Sequence, residues 1–224
     1  MEATCRGDTH LVVGLDEDDP QLDTYLGLVT SPVEHEVRGG LRYVVPWINE
    51  LSVPRTSDYR FIGHFGDDNL PHTDGWDVRI IQALGQAPFA FGEDLAGRPP
   101  GSLSCHIFTR SDVIATLGYF GPPQIQHMYV DVAWYAWGRA CGIAYLPEVI
   151  IEHLHYSVRR SAFDETYAAS YALSSDDLAA WHTYGHEGLN ADIAKLGGKP
   201  FTPAELHDFN IALNIPPVWG APVQ

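Results

Sequence analysis

Apolar residues recur along this chain with two different periods. Short runs of branched and aromatic residues that end at Gly, Pro or Asp are typical of strands. Longer segments place apolar side chains three or four positions apart, which is typical of helices with one buried face. The pattern predicts strands at residues 10–15, 33–45 (with a glycine-containing turn), 59–65, 89–91, 104–109 and 145–152. It predicts helices at residues 46–51, 76–84, 110–117, 127–142, 176–184 and 191–196, and an irregular stretch at 215–224.

Length and composition favour one large globular domain, or one domain with a tail. Of the 224 residues, 45% are hydrophobic and 19% are charged, which excludes a disordered chain. The formal net charge of −16 argues against non-specific binding to nucleic acid, because such binding needs a basic face. An acidic protein that binds a phosphorylated ligand needs added positive charge, and a bound metal ion supplies it.

The cysteines and the apolar runs indicate the cellular compartment in which the protein is expected. Cys5, Cys105 and Cys141 are odd in number and widely spaced, which favours reduced thiols over a disulfide framework. No signal segment opens the chain, and no run reaches the roughly 18 apolar residues of a membrane span. We therefore expect a cytoplasmic protein without a transmembrane segment.

Two adjacent acids follow the strand predicted at residues 59–65. The strand stops at Gly66, and Asp67 and Asp68 come next. Ligands of open α/β sheets bind beyond the carboxyl ends of strands, and carboxylates at that place can hold a hard divalent cation. The alternative is an ordinary turn in which Asp and Asn side chains bond to their own backbone.

The strand at residues 10–15 also ends in acids, from Asp16 to Asp19. A functional interpretation is that these acids hydrogen-bond the base or ribose of a nucleotide, with Asp16 nearest the strand end. The alternative is a helix start, because acids favour the first turn and Asp19 before Pro20 is a good cap. Both interpretations can hold for different acids.

Two later segments carry further candidates. Asp131 lies near the start of a predicted helix, where it is either a cap or, if it faces the crevice, a general base. His153 and His155 directly follow a predicted strand, and residues two apart in a strand point the same way. Either both imidazoles face one metal ion, or one is a ligand and the other forms a wall of the site. The alternative is that they are structural or exposed, as isolated histidines usually are.

The order of these pieces is similar to that of GT-A type glycosyltransferases. The chain resembles in particular the family-2-like nucleotide-sugar transferases of bacteria and phages. The matching pieces lie within residues 10–160 and are VVGLDEDDP, WINE, FIGHFGDDNLPHTDGW, FTR, HMYVDVAW and LPEVIIEHLH.

The resemblance implies an α/β, Rossmann-like fold of the GT-A type, with a mixed, mostly parallel sheet flanked by helices. It implies a catalytic domain at residues 1–160 that binds the nucleotide sugar, and a helical C-terminal extension at 161–224 packed on it. The family usually begins with a strand ahead of VVGLDEDDP, and only nine residues precede His10 here. Either the first βα unit is missing from this chain, as we expect, or the start of the chain is placed late.

On the donor side, the resemblance implies that Asp16 contacts the nucleobase. Asp18, Asn49 and Asp67 lie in the matching pieces and are expected to contact the nucleotide with it.

The resemblance also implies a metal site. Asp67 and Asp68 are similar to the family's acidic pair, which bridges Mn²⁺ or Mg²⁺ to the diphosphate of the sugar nucleotide. His153 or His155 is similar to the late histidine that completes the metal shell in some members.

On the acceptor side, the resemblance implies that Asp131 is the general base of an inverting transfer. Trp76, Arg110 and His127 are expected to contact the acceptor or substrate.

The predicted function is therefore transfer of a sugar from a UDP- or GDP-linked donor to a hydroxyl of a glycan or other acceptor. One alternative is a truncated or non-catalytic relative that binds a nucleotide or glycan. Another is a metal-dependent hydrolase that uses Asp67, Asp68, His153 and His155.

Overall fold

The computed structural model describes residues 4–29, 33–40 and 43–217, so residues 218–224, predicted to be irregular, lie outside it. The strands are β1 (Val12–Asp16), β2 (Glu34–Arg38), β3 (Phe61–His64), β4 (Asn69–Pro71), β5 (Phe89–Glu93), β6 (Ile107–Arg110) and β7 (Ile143–His153). The helices are α1 (Leu22–Leu28), α2 (Val44–Ser52), α3 (Trp76–Leu84), α4 (Ser111–Leu117), α5 (Val130–Cys141), α6 (Glu165–Ala172), α7 (Ser174–Glu187), α8 (Leu189–Lys195) and α9 (Pro203–Ala212). Two short 3₁₀ helices occupy Val53–Ser57 and Tyr156–Val158.

The strands form two sheets. β1 and β2 pair in parallel, and the other five strands form a sheet of order β3-β6-β5-β7-β4. Within that sheet only β5 and β7 run parallel, and the other three pairs are antiparallel. The α/β class with flanking helices is confirmed, whereas the prediction of a mostly parallel sheet was wrong. β6 follows β5 without an intervening helix, so the chain returns beside β5 in the opposite direction.

The five-stranded sheet is curled because its two edge strands are joined by a short link. Only residues 65–68 separate β3 from β4. The peptide links from His64 to Asn69 reach at most about 18 Å. Five strands laid flat would place the two edges about 19 Å apart. The sheet therefore bends its edges towards each other, and the link that carries Asp67 and Asp68 crosses one end of the sheet.

The strand registers show which residues share that end. His64 pairs with Ile107, and Phe89 and Ala90 pair with Thr109 and Phe108. We call this end, where β3, β5 and β7 finish and β4 and β6 begin, the upper end of the sheet. The terminal residues of the five strands at the upper end are His64, Asn69, Glu93, Ile107 and His153.

Helices cover the sheet through two hydrophobic clusters. In the smaller cluster, α3 packs Trp76, Ile80 and Leu84 against Phe108 and Ile151 of the sheet. The bounds of α3 confirm the predicted helix at residues 76–84. The larger cluster contains side chains of α2, α4, α5, α7 and α8, so the C-terminal helices share a core with α5. Among the residues described, no helix has the length and apolar character needed to cross a membrane.

Asp177, in the first turn of α7, holds the segment that leads into α5. Its side chain is buried, and its Oδ1 accepts a hydrogen bond from Gln126 N at 2.8 Å. Its Oδ2 accepts from His127 N at 2.8 Å and Met128 N at 2.7 Å. One buried carboxylate therefore satisfies three consecutive backbone donors just before α5.

Asp77 ties residues 4–9 to α3. Its carboxylate accepts hydrogen bonds from Arg6 N at 3.0 Å, Gly7 N at 2.7 Å and Thr9 Oγ1 at 2.8 Å. Burial opposes ionisation, but these hydrogen bonds outweigh it and hold the pKa of Asp77 below its ordinary value.

Replacing Asp77 by asparagine should lower the free energy of unfolding at pH 7 by about 1–3 kcal/mol, because the amide cannot accept all three bonds. A depressed folded pKa means that the stabilisation is complete above the ordinary aspartate pKa of about 3.9. It is lost as the pH falls through the folded pKa. Urea unfolding at several pH values should show a wide gap between parent and variant at pH 7 that closes below about pH 4. Asp74→Asn, an exposed acid of the preceding loop, is the control. A gap independent of pH would contradict the role assigned to Asp77.

Candidate functional site

The acid pair lies above the last residues of β7. His153 Nε2 is 2.9 Å from Asp68 Oδ2, and Tyr167 of α6 donates its hydroxyl to the same oxygen at 3.2 Å. Burial opposes ionisation of Asp68, but the hydrogen bonds from His153 and Tyr167 and the nearby imidazole outweigh it and lower its pKa. Asp68 is therefore an ionised carboxylate that already has two partners.

Asp67 differs from its neighbour. Burial, and then the adjacent charge of Asp68, raise the pKa of Asp67 above its ordinary value. Two carboxylates side by side disfavour double ionisation, and a bound cation would relieve that repulsion.

Backbone hydrogen bonds fasten the loops of the upper end to one another. His153 N donates to Asp94 O and Leu154 N donates to Asp68 O, each at 2.8 Å. The end of β7 is thus held between the residue after β5 and the link that carries the acid pair.

A group of three possible metal ligands lies at this junction. One ligand atom each from Asp94, Cys105 and His153 lies within 4.8 Å of the other two. Asp94 is 5% exposed; its Oδ1 accepts from Ala96 N at 2.9 Å, and its Oδ2 is buried without a hydrogen-bond partner. A buried carboxylate oxygen without a hydrogen bond is costly, and a cation bound closer than Arg98, whose Nη1 is 3.9 Å away, would satisfy it. The donor set therefore fits a metal ion.

The thiol of Cys105 is oriented by a buried amide. Asn69 Nδ2 lies 3.4 Å from Cys105 Sγ, and Asn69 Oδ1 accepts a hydrogen bond from Gly66 N at 2.9 Å. Burial, and then the charge of Asp94, raise the pKa of the Cys105 thiol well above its ordinary value. Without a cation beside it, this thiol stays protonated.

Two further histidines form uncharged walls of the site. Burial, reinforced by neighbouring imidazoles, lowers the pKa of His64 to about 4 and that of His106 to about 3. His106 Nε2 accepts from Gly92 N at 3.2 Å, so its Nδ1 carries the proton, 3.2 Å from Ser104 Oγ. Both rings are neutral at physiological pH and add no positive charge.

Arg98 lies between the metal-ligand group and α5. Its Nη1 is 3.9 Å from Asp94 Oδ2 and 3.8 Å from Asp131 Oδ2, both too long for hydrogen bonds. Burial raises the pKa of Asp131, and the charge of Arg98 opposes that shift. Asp131 Oδ1 accepts from Val132 N at 2.9 Å in the first turn of α5, and Oδ2 faces Arg98.

His127 belongs to the same region. Burial lowers the pKa of its imidazole, and the charges of Asp177, Asp131 and Asp67 oppose that shift. His127 is therefore near both the acid pair and the start of α5. His155 is adjacent to His153, with ring centroids 4.9 Å apart, but its Nδ1 lies 2.7 Å from Ser157 Oγ.

Other predicted site residues have structural partners. Asp16 ends β1 in the two-stranded sheet and accepts a hydrogen bond from Trp47 Nε1 at 2.9 Å, and Asp18 lies in the turn that follows. Asn49 uses its whole amide on the turn before α5: Oδ1 accepts from the backbone N of Phe120 and of Gly121, and Nδ2 donates to Gly121 O.

Two predicted acceptor contacts are engaged elsewhere: Trp76 is buried in the core, and Arg110 lies at the far end of the sheet. Trp76 is 3% exposed and packs against Phe65 and Phe108, so its indole offers no free face to a ligand. Arg110 pairs with Phe61 at the start of β3, at the opposite end of the sheet from Asp67. Its guanidinium binds the carboxylate of Asp112.

The predicted set omitted Asp94 and Cys105 of the metal-ligand group, and it also omitted Arg98. Asp94 directly follows β5, so the strand-end rule that indicated Asp67 also applies to it. Arg98 and Cys105 lie in the loop from β5 to β6, and nothing in the local pattern distinguishes them. They reach the site because β6 begins at the upper end of the sheet.

No family model matches this chain, and no curated protein matches it at a significant level. Its class is therefore given by the fold and the site: an α/β protein with a mixed sheet and a group of possible metal ligands at one end. The likeness to GT-A transferases depends on the sequence motifs.

Proposed function

We propose that this protein is a metal-dependent glycosyltransferase that uses a nucleoside-diphosphate sugar, with Asp131 as the general base. The observation that carries the proposal is the junction at the upper end of the sheet. There, possible metal ligands lie on one side of Arg98 and a separate carboxylate with a raised pKa lies on the other. Such a transfer needs positive charge for the leaving diphosphate and a base for the acceptor hydroxyl.

The cation supplies charge stabilisation for the leaving nucleoside diphosphate. Asp94, Cys105 and His153 would hold it, with Asp68 fixing His153 and Asp67 next to Asp68 in the chain. Arg98 adds a guanidinium that suits a phosphate oxygen. The side chain of Asp131, positioned by the first turn of α5, would take the proton of the acceptor hydroxyl. Asp16, Asp18 and Asn49 stay predicted nucleotide contacts.

A second candidate is a metal-dependent hydrolase that cleaves a diphosphate with water. The observation that favours it is that three side chains of different elements form the ligand group, as in catalytic zinc sites that keep an open position for water. In that case the same nucleotide sugars would be consumed at a rate that does not depend on an acceptor.

The proposal is tested first by calorimetric titration of UDP and GDP, each with and without Mn²⁺ and with and without Zn²⁺. Release of nucleoside diphosphate from UDP- and GDP-hexoses is then followed with and without a panel of glycan acceptors. Metal-dependent binding and acceptor-dependent release with a glycosylated product support a transferase. Release without an acceptor supports the hydrolase, and binding without release supports a non-catalytic relative. No binding by folded protein overturns all three.

The rate of transfer should rise with pH over a range above the ordinary ionisation of an exposed aspartate, at about 3.9. Asp131 must be ionised to accept a proton, and burial raises its pKa, so its working form appears at higher pH. The measurement is kcat/KM across the pH range. If kcat/KM of the Asp131→Asn variant rises with pH in the same way, the group that titrates is not Asp131.

A further inference from the structure

We infer that Asp94, Cys105 and His153 form a three-ligand centre for a thiophilic divalent cation of the Zn²⁺ type, with Asp68 as the carboxylate that orients His153. The centre belongs to the site of the proposed function, but cation binding does not depend on sugar transfer. The inference changes the expected cofactor from Mn²⁺ or Mg²⁺ and changes Asp68 from a ligand to an outer partner.

The imidazole of His153 carries the first part of the argument. Its Nε2 is 2.9 Å from Asp68 Oδ2, and a carboxylate only accepts hydrogen bonds, so Nε2 holds the proton. Its Nδ1 is buried and has no hydrogen-bond partner among the residues described. A neutral imidazole in this state presents the Nδ1 lone pair. Histidines that bind metals typically donate their other N–H to a carboxylate in this way.

Asp94 and Cys105 supply the other two ligand atoms. Asp94 Oδ1 accepts a hydrogen bond from Ala96 N, and the buried Oδ2 has no hydrogen-bond partner. Asn69 Nδ2 lies 3.4 Å from Cys105 Sγ, where it can donate an N–H to a thiolate. Each of the three ligands thus has an oriented partner, which is the arrangement expected around a metal centre.

The donor set selects the cation. Mg²⁺ takes oxygen ligands in a nearly octahedral shell, whereas thiolate and imidazole suit Zn²⁺ and similar ions. One thiolate and one carboxylate together balance the two positive charges of the cation, and a neutral centre suits a buried site. The ligand atoms lie within 4.8 Å of one another, and metal–ligand bonds of about 2.0–2.3 Å require separations of about 3.5 Å, so the ligands close by roughly 1 Å at most on binding. Three protein ligands leave a fourth position for water or a phosphate oxygen.

The test uses Co²⁺ as a spectroscopic substitute for Zn²⁺, added to chelator-treated protein without any nucleotide. The parent should show a thiolate-to-cobalt charge-transfer band, which Zn²⁺ removes and excess Mg²⁺ leaves in place. Cys105→Ser should lose the band. The double variant Cys5→Ser, Cys141→Ser should keep it, because Cys105 is then the sole thiol of the chain. Asp68→Asn should keep the band with Co²⁺ affinity lowered about 10–100-fold.

The double variant makes the test independent of whether Cys105→Ser folds. Absence of the band from the parent or from the folded double variant overturns the inference. Displacement of Co²⁺ by Mg²⁺, or loss of the band in Asp68→Asn at saturating Co²⁺, also contradicts it. A band without any turnover of nucleotide sugar would leave the inference standing and remove the proposed function. If the protein shows no band but transfers sugar with Mg²⁺, the inference is overturned and the proposed function stands.

Discussion

Replacing Asp131 by asparagine should lower the rate of sugar transfer about 10²–10⁴-fold, the usual contribution of a positioned general base. The amide keeps the size of the side chain and can still accept from Val132 N, so α5 should begin at the same residue. It cannot accept the proton of an attacking hydroxyl. Binding of the nucleotide and of the cation should stay close to that of the parent, since Asp131 lies outside the metal-ligand group. Single-turnover transfer and calorimetric titration separate the two effects.

Asp112→Asn is the matched control for this variant. Asp112 also lies in the first turn of a helix, but its carboxylate is exposed and paired with Arg110 at the opposite end of the sheet. It should transfer sugar at the parental rate. If Asp131→Asn does so too, the role of Asp131 is confined to its hydrogen bond in the first turn of α5, and another group takes the proton.

The largest effect on stability is expected from Asp177→Ala. The change removes the acceptor of three buried backbone N–H groups, and each unsatisfied donor costs about 1–3 kcal/mol. Water that enters the space left by the carboxylate will recover part of that. We expect a loss of about 3–5 kcal/mol in the free energy of unfolding, and a fall in Tm on the order of 10 °C. Urea and thermal unfolding measure it.

Asp176→Ala provides the comparison, because it removes an exposed acid from the same turn of α7. It should change stability by less than about 0.5 kcal/mol. A similar loss in both variants would mean that charge in the first turn of α7, and not the bonds to residues 126–128, supplies the stabilisation.

The elements that could be predicted are those whose pattern is local. α3 has its buried residues at helical spacing between two glycines, and its predicted bounds are confirmed. β3 covers Phe61–His64, within the strand predicted at residues 59–65, so the acids of the link do follow a strand end. Phe89 and Phe91 similarly indicated β5, although the prediction stopped before Glu93 and so did not reach Asp94.

The elements that could not be predicted depend on distant pairing or have weak patterns. β4 has three residues and ends in Pro71, which is tolerated because β4 is an edge strand that pairs with β7. α6 lacks a clear apolar stripe, and its only buried residue is Ser170. α9 did have a signal, since Thr202 and Glu205 form a capping box at its start.

The candidate site shows the same limit. Asp67, Asp68, His127, Asp131 and His153 were indicated by their places at the ends of strands and the start of a helix. The approach of Asp94, Cys105 and His153 to one another depends on the order of β5, β6 and β7 in the sheet, and that order is a property of the whole fold.

The short link between β3 and β4 has a consequence for how this protein can tolerate insertions. Residues 66–69 close in a turn, in which Asn69 N donates to Gly66 O at 3.1 Å, and this turn fixes where Asp67 and Asp68 lie. Added residues there would let the edges of the sheet move apart and would displace Asp67 and Asp68 from His153. The longer loop from β5 to β6 does not set the distance between two edge strands, so its middle can lengthen at little cost. Variants of this chain that differ in length should therefore keep four residues between His64 and Asn69 and vary between Arg98 and Ser104.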